Sequence, residues 1–179
     1  MIELMARRRS IRSYTDERVG EEEIDALLQA ALLSASSRGI RPWELVVVTA
    51  KEQLQALSKA KAHGGAFLSG APLGIVVLGI PEASDVWIED ASIVASNLLL
   101  EAESLGLGAC WIQIRNRKSA DGNSAEAVVR QVLAIPESRS IEAVIAVGHP
   151  AEQKTGYTRE DLHWEKVHRE RWQDTPEKQ

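Results

Sequence analysis

A single cysteine, Cys110, among 179 residues excludes an intramolecular disulfide, and with it the small stapled scaffolds that depend on several. Long apolar runs are missing too: none reaches the roughly 18 residues a membrane-spanning helix needs. Met1 to Ala6 is too short and too mixed for a signal peptide, so the cytoplasm is the expected compartment. Acidic residues outnumber basic ones by 26 to 21, and a net charge of -5 argues against general binding to nucleic acid or a membrane surface. Gly106-Leu107-Gly108 lacks the third glycine of a dinucleotide fingerprint and precedes a strand-like run, which reads as a helix terminus. There is no Gly-x4-Gly-Lys phosphate loop and no nucleophile elbow around a serine. Two of the four histidines, His163 and His168, are five apart and so do not share a helical face, and no metal site is expected. Cys110, in an apolar run beside Trp111, reads as a buried inert thiol.

What is present fits one ordinary domain with a real core, at 44% apolar and 26% charged residues. Glu21-Glu22-Glu23 opens a segment with Ile24, Leu27, Leu28, Ala31 and Leu32 on one stripe, and acids in a first turn suit the positive end of a helix dipole. Leu45–Thr49 and Leu73–Leu78 are short β-branched runs bounded by Pro42, Pro72 and Gly79, predicted as strands buried on both faces. A helix is predicted over Lys51–Lys61 between them, giving a sheet covered by helices. The longest predicted helix, Val86–Leu105, is apolar nearly all round, which points to burial and, in a chain this small, to a second subunit sharing it. A strand (Ala109–Ile114), a polar loop (Arg115–Asn123), a helix (Ser124–Leu133) and a last strand (Ile141–Val147) follow. Beyond His149 the chain is polar with Tyr157, Trp164 and Trp172 as aromatic anchors, expected to wrap over a surface. One domain over residues 1–172 and a disordered polar tail over 173–179 complete the expectation.

Two short stretches carry the chemistry. Arg7-Arg8-Arg9-Ser10-Ile11-Arg12 packs four guanidiniums into six residues of an acidic chain, a self-repulsive arrangement unless an anion or several carboxylates sit among them. Arg8, Ser10 and Arg12 alternate, so an extended backbone turns them to one side, where guanidinium forks and a hydroxyl can grip phosphate oxygens. The plainer alternative pairs these arginines with Glu17, Glu21 or Glu22. The second stretch, Ser36-Ser37-Arg38-Gly39-Ile40-Arg41-Pro42-Trp43, sets small hydrogen-bonding groups beside a flat aromatic, which suits a planar polar ring system.

Arg8-Arg9-Ser10-Ile11-Arg12 with Tyr14-Thr15-Asp16-Glu17, then Ser34-Ala35-Ser36-Ser37 to Pro42-Trp43, then Leu105-Gly106-Leu107-Gly108-Ala109-Cys110-Trp111-Ile112, together resemble the FMN-dependent nitroreductase family. Ile88-Glu89-Asp90-Ala91-Ser92 is similar to the opening of that family's central helix, and the likeness runs to about Trp172. The resemblance implies an α+β fold, with a central, mostly antiparallel sheet flanked by helices, in an intertwined homodimer around a long buried helix. It implies FMN in the interface cleft and an NAD(P)H-dependent oxidoreductase that passes a hydride through flavin N5 to a nitroaromatic, quinone or other conjugated acceptor, in ping-pong fashion. By position, Arg8, Ser10 and Arg12 would hold the FMN phosphate and ribityl chain, and Arg9 would reach the ring. Ser36, Ser37 and Arg38 would come from the partner subunit, Ile112 and Gln113 would pass along the flavin edge with the Gln113 amide near N5, and Lys154 would be a second phosphate cation or a solvated lysine. No residue is assigned as an obligatory acid or base. The chain departs from the pattern at Gly39 and Arg41, where the family carries Asn and Gln, and His63 stands near the expected ribityl chain or simply at a helix end. The alternatives are a different flavin reaction such as dehalogenation or flavin breakdown, a non-catalytic flavin sensor or carrier, and an arginine patch that docks an acidic partner without cofactor.

Overall fold

A computed structural model of the chain describes residues 1–173; of the segment expected to be a disordered tail, only Gln173 is among them. Helix α1 (Ile2–Arg7), which no periodic pattern announces, precedes α2 (Glu21–Leu32). The Glu23 carboxylate accepts the Gly20 N–H at 2.7 Å, so the acid three residues into α2 closes the first turn while its charge meets the positive helix end. Strand β1 (Trp43–Val48), α3 (Lys51–Leu57), β2 (Leu73–Gly79), α4 (Trp87–Ser104), β3 (Gly108–Gln113), α5 (Ala125–Leu133) and β4 (Ser140–Gly148) follow.

The four strands form one fully antiparallel sheet in the order β1-β2-β4-β3. Every residue of β2 is buried, as its unbroken apolar run demands, because β2 lies between two strands with helices on both faces. The same expectation for the first strand is corrected: β1 is an edge strand, and Glu44 and Val47 are exposed. Along β4, Ala143, Ile145 and Val147 face the core shared with α2 and α4, whereas Ile141, Val144 and Ala146 face the one shared with α3 and α5. Glu142 stands between at a β-bulge, where the amides of Ile114 and Arg115 both donate to its carbonyl.

Two helices depart from the sequence reading. The segment predicted as helical to Lys61 leaves the helix after Leu57, where Lys59 and Ala60 make tighter i→i+3 bonds and Ala62 N–H is drawn to Lys118 O at 2.9 Å. Helix α4 matches its prediction closely, but Ile93 is 40% exposed, so the face opposite the core is left uncovered in one chain. It ends in a Schellman motif: Leu107 N–H bonds Ala102 O, Gly106 N–H bonds Glu103 O, and Gly106 takes the left-handed φ of 76° that the motif requires. The chain is thereby turned directly into β3.

Candidate functional site

The site begins where the N-terminal segment runs beside the outer edge of β3. Ser10 bridges Ala109 in parallel and Ile11 N–H bonds Ala109 O at 3.0 Å. This approach needs Gly108, because a Cβ there would stand 2.7 Å from Ile11 Cγ2 and 2.8 Å from Ile11 Cβ. The backbone after Arg8 is extended, and Arg8, Ser10 and Arg12 line one cavity of about 230 Å³ with Arg9, Lys154 and Tyr157. Lys154 arrives from the other end of the chain because the tail runs back along this segment. Ala151 N–H bonds Ser13 O at 2.9 Å, Tyr157 N–H bonds Ala6 O at 2.8 Å, and Gly156 leaves room where a Cβ would sit 2.8 Å from Ala6 O. The Lys154 ammonium then donates to Ser10 O at 2.5 Å and lies 3.3 Å from the Glu152 carboxylate.

The electrostatics of this cavity are lopsided. Among the described residues no carboxylate pairs with Arg8 or Arg12: Glu17 lies 3.9 Å from His149 and neither Glu21 nor Glu22 forms an ion pair, so the alternative pairing of these arginines with Glu17, Glu21 or Glu22 is not what forms. Arg9 donates to Thr155 O and lies over the Tyr157 ring at 4.5 Å, and Arg12 lies 5.8 Å from the Phe67 ring centroid. Glu152 is occupied by the backbone amides of Arg12 (2.5 Å) and Ser13 (3.2 Å); these bonds, the Arg12 one foremost, together with Lys154, hold its carboxyl below the usual range. Beneath the cluster, Cys110 is 2% exposed, and burial pushes its thiol up against the opposite pull of Arg12, Ser10, Lys154 and Arg8. It is therefore neutral at ordinary pH and not a nucleophile.

Ser36, Ser37 and Arg38 lie elsewhere. Ser37 N–H donates to Asp90 Oδ1 at 2.9 Å in the first turn of α4, Ser36 Oγ accepts Arg41 N–H at 2.9 Å, and Arg38 pairs with Asp85 at 2.9 Å. Arg7 pairs with Glu103 at the opposite end of α4. Asp90 and Glu103 are thirteen residues apart on one helix, hence about 20 Å along its axis at 1.5 Å per residue. One chain thus keeps the two predicted groups apart. The loop is also strained: Arg38, Gly39 and Arg41 have φ of 54°, 68° and 54°, and the left-handed region costs a non-glycine residue about 1 kcal/mol or more. Asp90 is 3% exposed, and among the described residues its Oδ2 has no hydrogen-bond partner.

The β3 edge carries the remaining predicted residues. Ile112 is 2% exposed with its side chain in the core, so only its backbone faces a ligand. Ile114 N–H turns inward to β4 while Ala109 O turns outward, and the strand alternation therefore directs the Gln113 N–H to the outer edge. The Gln113 side chain is held in a chain of bonds: Trp111 Nε1–H donates to Gln113 Oε1 (2.9 Å), Gln113 Nε2 to Glu142 Oε1 (3.1 Å), and Arg115 Nε to Glu142 Oε2 (2.9 Å). His63 is exposed in the turn beyond α3. Sequence reasoning passed over Tyr157 as a wall of the cavity, Glu152, Asp90 and Glu142. For Glu142 the available signal was a lone acid inside the apolar run Ile141–Val147.

Comparison with known proteins gives the family and the fold. A family model described as the nitroreductase family matches residues 5–149. An FMN-dependent nitroreductase of Clostridium difficile R20291 is 47% identical, with a TM-score of 0.94, over 96% of this chain and 100% of that one. A protein of Desulfovibrio desulfuricans solved in complex with FMN is 28% identical, with a TM-score of 0.77, over 96% and 97%. An FMN reductase (NADPH) of Bacillus subtilis is 30% identical over 171 residues, 84% of this chain and 66% of that protein.

Proposed function

This chain belongs to the nitroreductase family, and from that premise we propose that it takes electrons from NADH or NADPH and delivers them to a nitroaromatic, quinone or similar conjugated acceptor. In class it is an NAD(P)H-dependent flavin oxidoreductase, and its cofactor is FMN. Bound FMN supplies a centre that accepts a hydride from one reactant and returns it to another, so the two use one space in turn (ping-pong) and no second nucleotide domain is needed.

The observation that carries the reading is the meeting of Arg8, Ser10, Arg12 and Lys154 around one cavity, with both guanidiniums free of carboxylate partners among the described residues. Unpaired guanidiniums beside an ammonium fit a phosphate dianion, which each arginine can grip through two N–H groups. In this reading Arg8, Ser10 and Arg12 hold the phosphate and ribityl chain, Lys154 adds charge while fixing the Ser10 backbone, and Arg9 keeps the tail over the site or reaches the ring. The Gln113 N–H, with the Ile112 backbone beside it, is a donor to the ring edge, kept in place by the Trp111–Gln113–Glu142–Arg115 chain.

Ser36, Ser37 and Arg38 complete the site from a second copy, because about 20 Å of α4 separates them from the arginines of their own chain. A homodimer is further supported by the exposed Leu33 (78%), Trp164 (54%) and Trp172 (69%), apolar surface that one chain leaves in water. The single buried cysteine suits a reducing compartment, and we assign the protein to the cytoplasm.

The test is an absorption spectrum of the purified protein with a flavin-to-subunit ratio, followed by steady-state NAD(P)H oxidation with a nitroaromatic or quinone. About one FMN per subunit with turnover is expected. Protein that stays colourless with added FMN overturns the reading in favour of a docking patch. Flavin binding without turnover favours a carrier, a sensor or another flavin reaction.

A further inference from the structure

The loop from Ser36 to Arg41 raises a question that cofactor binding leaves unanswered. It is pinned at several points: Ser37 N–H to Asp90, Arg41 N–H to Ser36 Oγ, Ile40 N–H to Ser37 O, and Ile80 N–H to Pro42 O. None of these bonds uses the side chain of Arg41. That residue nevertheless occupies the left-handed region at φ 54°, where Asn or Gly would sit with less strain, and so does Arg38. Arg38 gains an ion pair with Asp85 at its strained position, but among the described residues the Arg41 side chain gains no hydrogen bond or ion pair at its own. Backbone strain retained without structural return points to function.

The charges differ in state. Arg38 is paired with Asp85, whereas Arg41 is exposed and, among the described residues, no carboxylate pairs with it. The phosphate end of the proposed site already has Arg8, Arg12 and Lys154, so a further cation on this loop falls to whatever occupies the substrate space. We infer that Arg41, supported by Arg38, forms a cationic rim that selects reactants carrying an anionic group. That group is a carboxylate on the conjugated acceptor or the 2′-phosphate of the dinucleotide. The inference rests on the proposed flavin site and on the second copy that brings this loop to it. A fixed positive group at the mouth of a cleft in an acidic protein raises the local concentration of anions and speeds their capture.

Arg41→Asn removes the charge with a residue that tolerates this backbone, and Arg41→Lys keeps the charge. For the FMN-loaded protein, the ratio of kcat/KM for 4-nitrobenzoate to that for its methyl ester is compared in wild type and both variants. The NADPH to NADH ratio is measured in parallel. Benzoate and methyl benzoate dissociation constants, read from perturbation of the flavin absorption band, give a readout independent of turnover. At least one of these ratios, 4-nitrobenzoate to its ester or NADPH to NADH, is expected to fall about tenfold in Arg41→Asn, equivalent to about 1.4 kcal/mol, and to recover in part in Arg41→Lys. The arm that moves identifies the source of the anion. Ratios that match wild type in both arms, with FMN content intact, overturn the rim and leave the proposed function standing. Protein that takes up no FMN overturns both.

Discussion

Replacing Gly108 by Ala is expected to damage the candidate site without touching any of its polar groups. The new Cβ would stand 2.7 Å from Ile11 Cγ2, 2.8 Å from Ile11 Cβ and 3.2 Å from Cγ1. The second of these atoms is fixed to the backbone, so a rotamer change does not relieve the clash. Restoring ordinary contact requires the N-terminal segment to move outward by about 0.7 Å or more. That motion strains the Ile11 N–H to Ala109 O bond and carries Ser10 and Arg12 with it. Overpacking of this kind costs about 1 to 3 kcal/mol, or about 2 to 12 °C in Tm for a chain of this length. A displaced cradle should also weaken FMN binding about tenfold. Gly106→Ala is the control: nothing lies within 4 Å of its Cβ, but φ is +76°, so it loses about 1 to 2 kcal/mol through backbone strain while the cradle stays in place. Urea denaturation followed by circular dichroism and FMN titration followed by flavin fluorescence separate the two effects. Wild-type FMN affinity in Gly108→Ala, or an equal loss in Gly106→Ala, would refute the reasoning.

Arg8→Ala removes one charge-assisted partner of the proposed phosphate and should weaken FMN binding by about 1.5 to 3 kcal/mol; an unchanged Kd by titration takes Arg8 out of the site. Arg115→Met leaves the Glu142 carboxylate, 4% exposed, without its cation and should cost about 3 kcal/mol in urea denaturation, more than Glu142→Gln, which removes the charge itself. Because hydrogen bonds from the Arg12 and Ser13 amides and from Lys154 hold the Glu152 carboxyl below the usual glutamate range in the fold, its contribution to docking the tail is fully present at neutral pH and is lost as pH falls through and below that range. Hydrogen exchange of residues 150–157 should therefore show less protection at pH 3.5 than at pH 6, and Glu152→Gln should remove the difference. Cys110 should resist a thiol reagent at pH 8 in the native protein and react once, stoichiometrically, after denaturation.

Most of the scaffold is legible in local pattern. Pro72 and Gly79 bracket β2, Ser124 precedes α5 as its N-cap residue, and the apolar circumference of α4 announces a helix that one chain does not fully cover. The alternation of Arg8, Ser10 and Arg12 likewise foretells one shared cavity once the backbone is extended. What escaped was set by contacts distant in sequence. Lys154 was named through the family resemblance alone, and its reach to Ser10 across 144 residues is a pairing no periodicity encodes; Tyr157 becomes a wall of the cavity only because the tail retraces the N-terminal segment. The exposure of β1 follows from its place at the sheet edge, and α3 stops early because a loop sixty residues away claims Ala62 N–H. The bulge at Glu142, which turns a lone acid in an apolar strand into the anchor of Gln113 and Arg115, arises only when three strands are paired.

The central claim is that the N-terminal guanidiniums and Lys154 recognise a phosphate. Titrating the apoprotein with FMN and with riboflavin, which has the same ring and ribityl chain and no phosphate, tests it most directly. Loss of two or more charge-assisted bonds should weaken riboflavin by at least about 3 kcal/mol, more than a hundredfold, and Arg8→Ala should narrow that gap. Equal affinity for the two flavins would contradict the account.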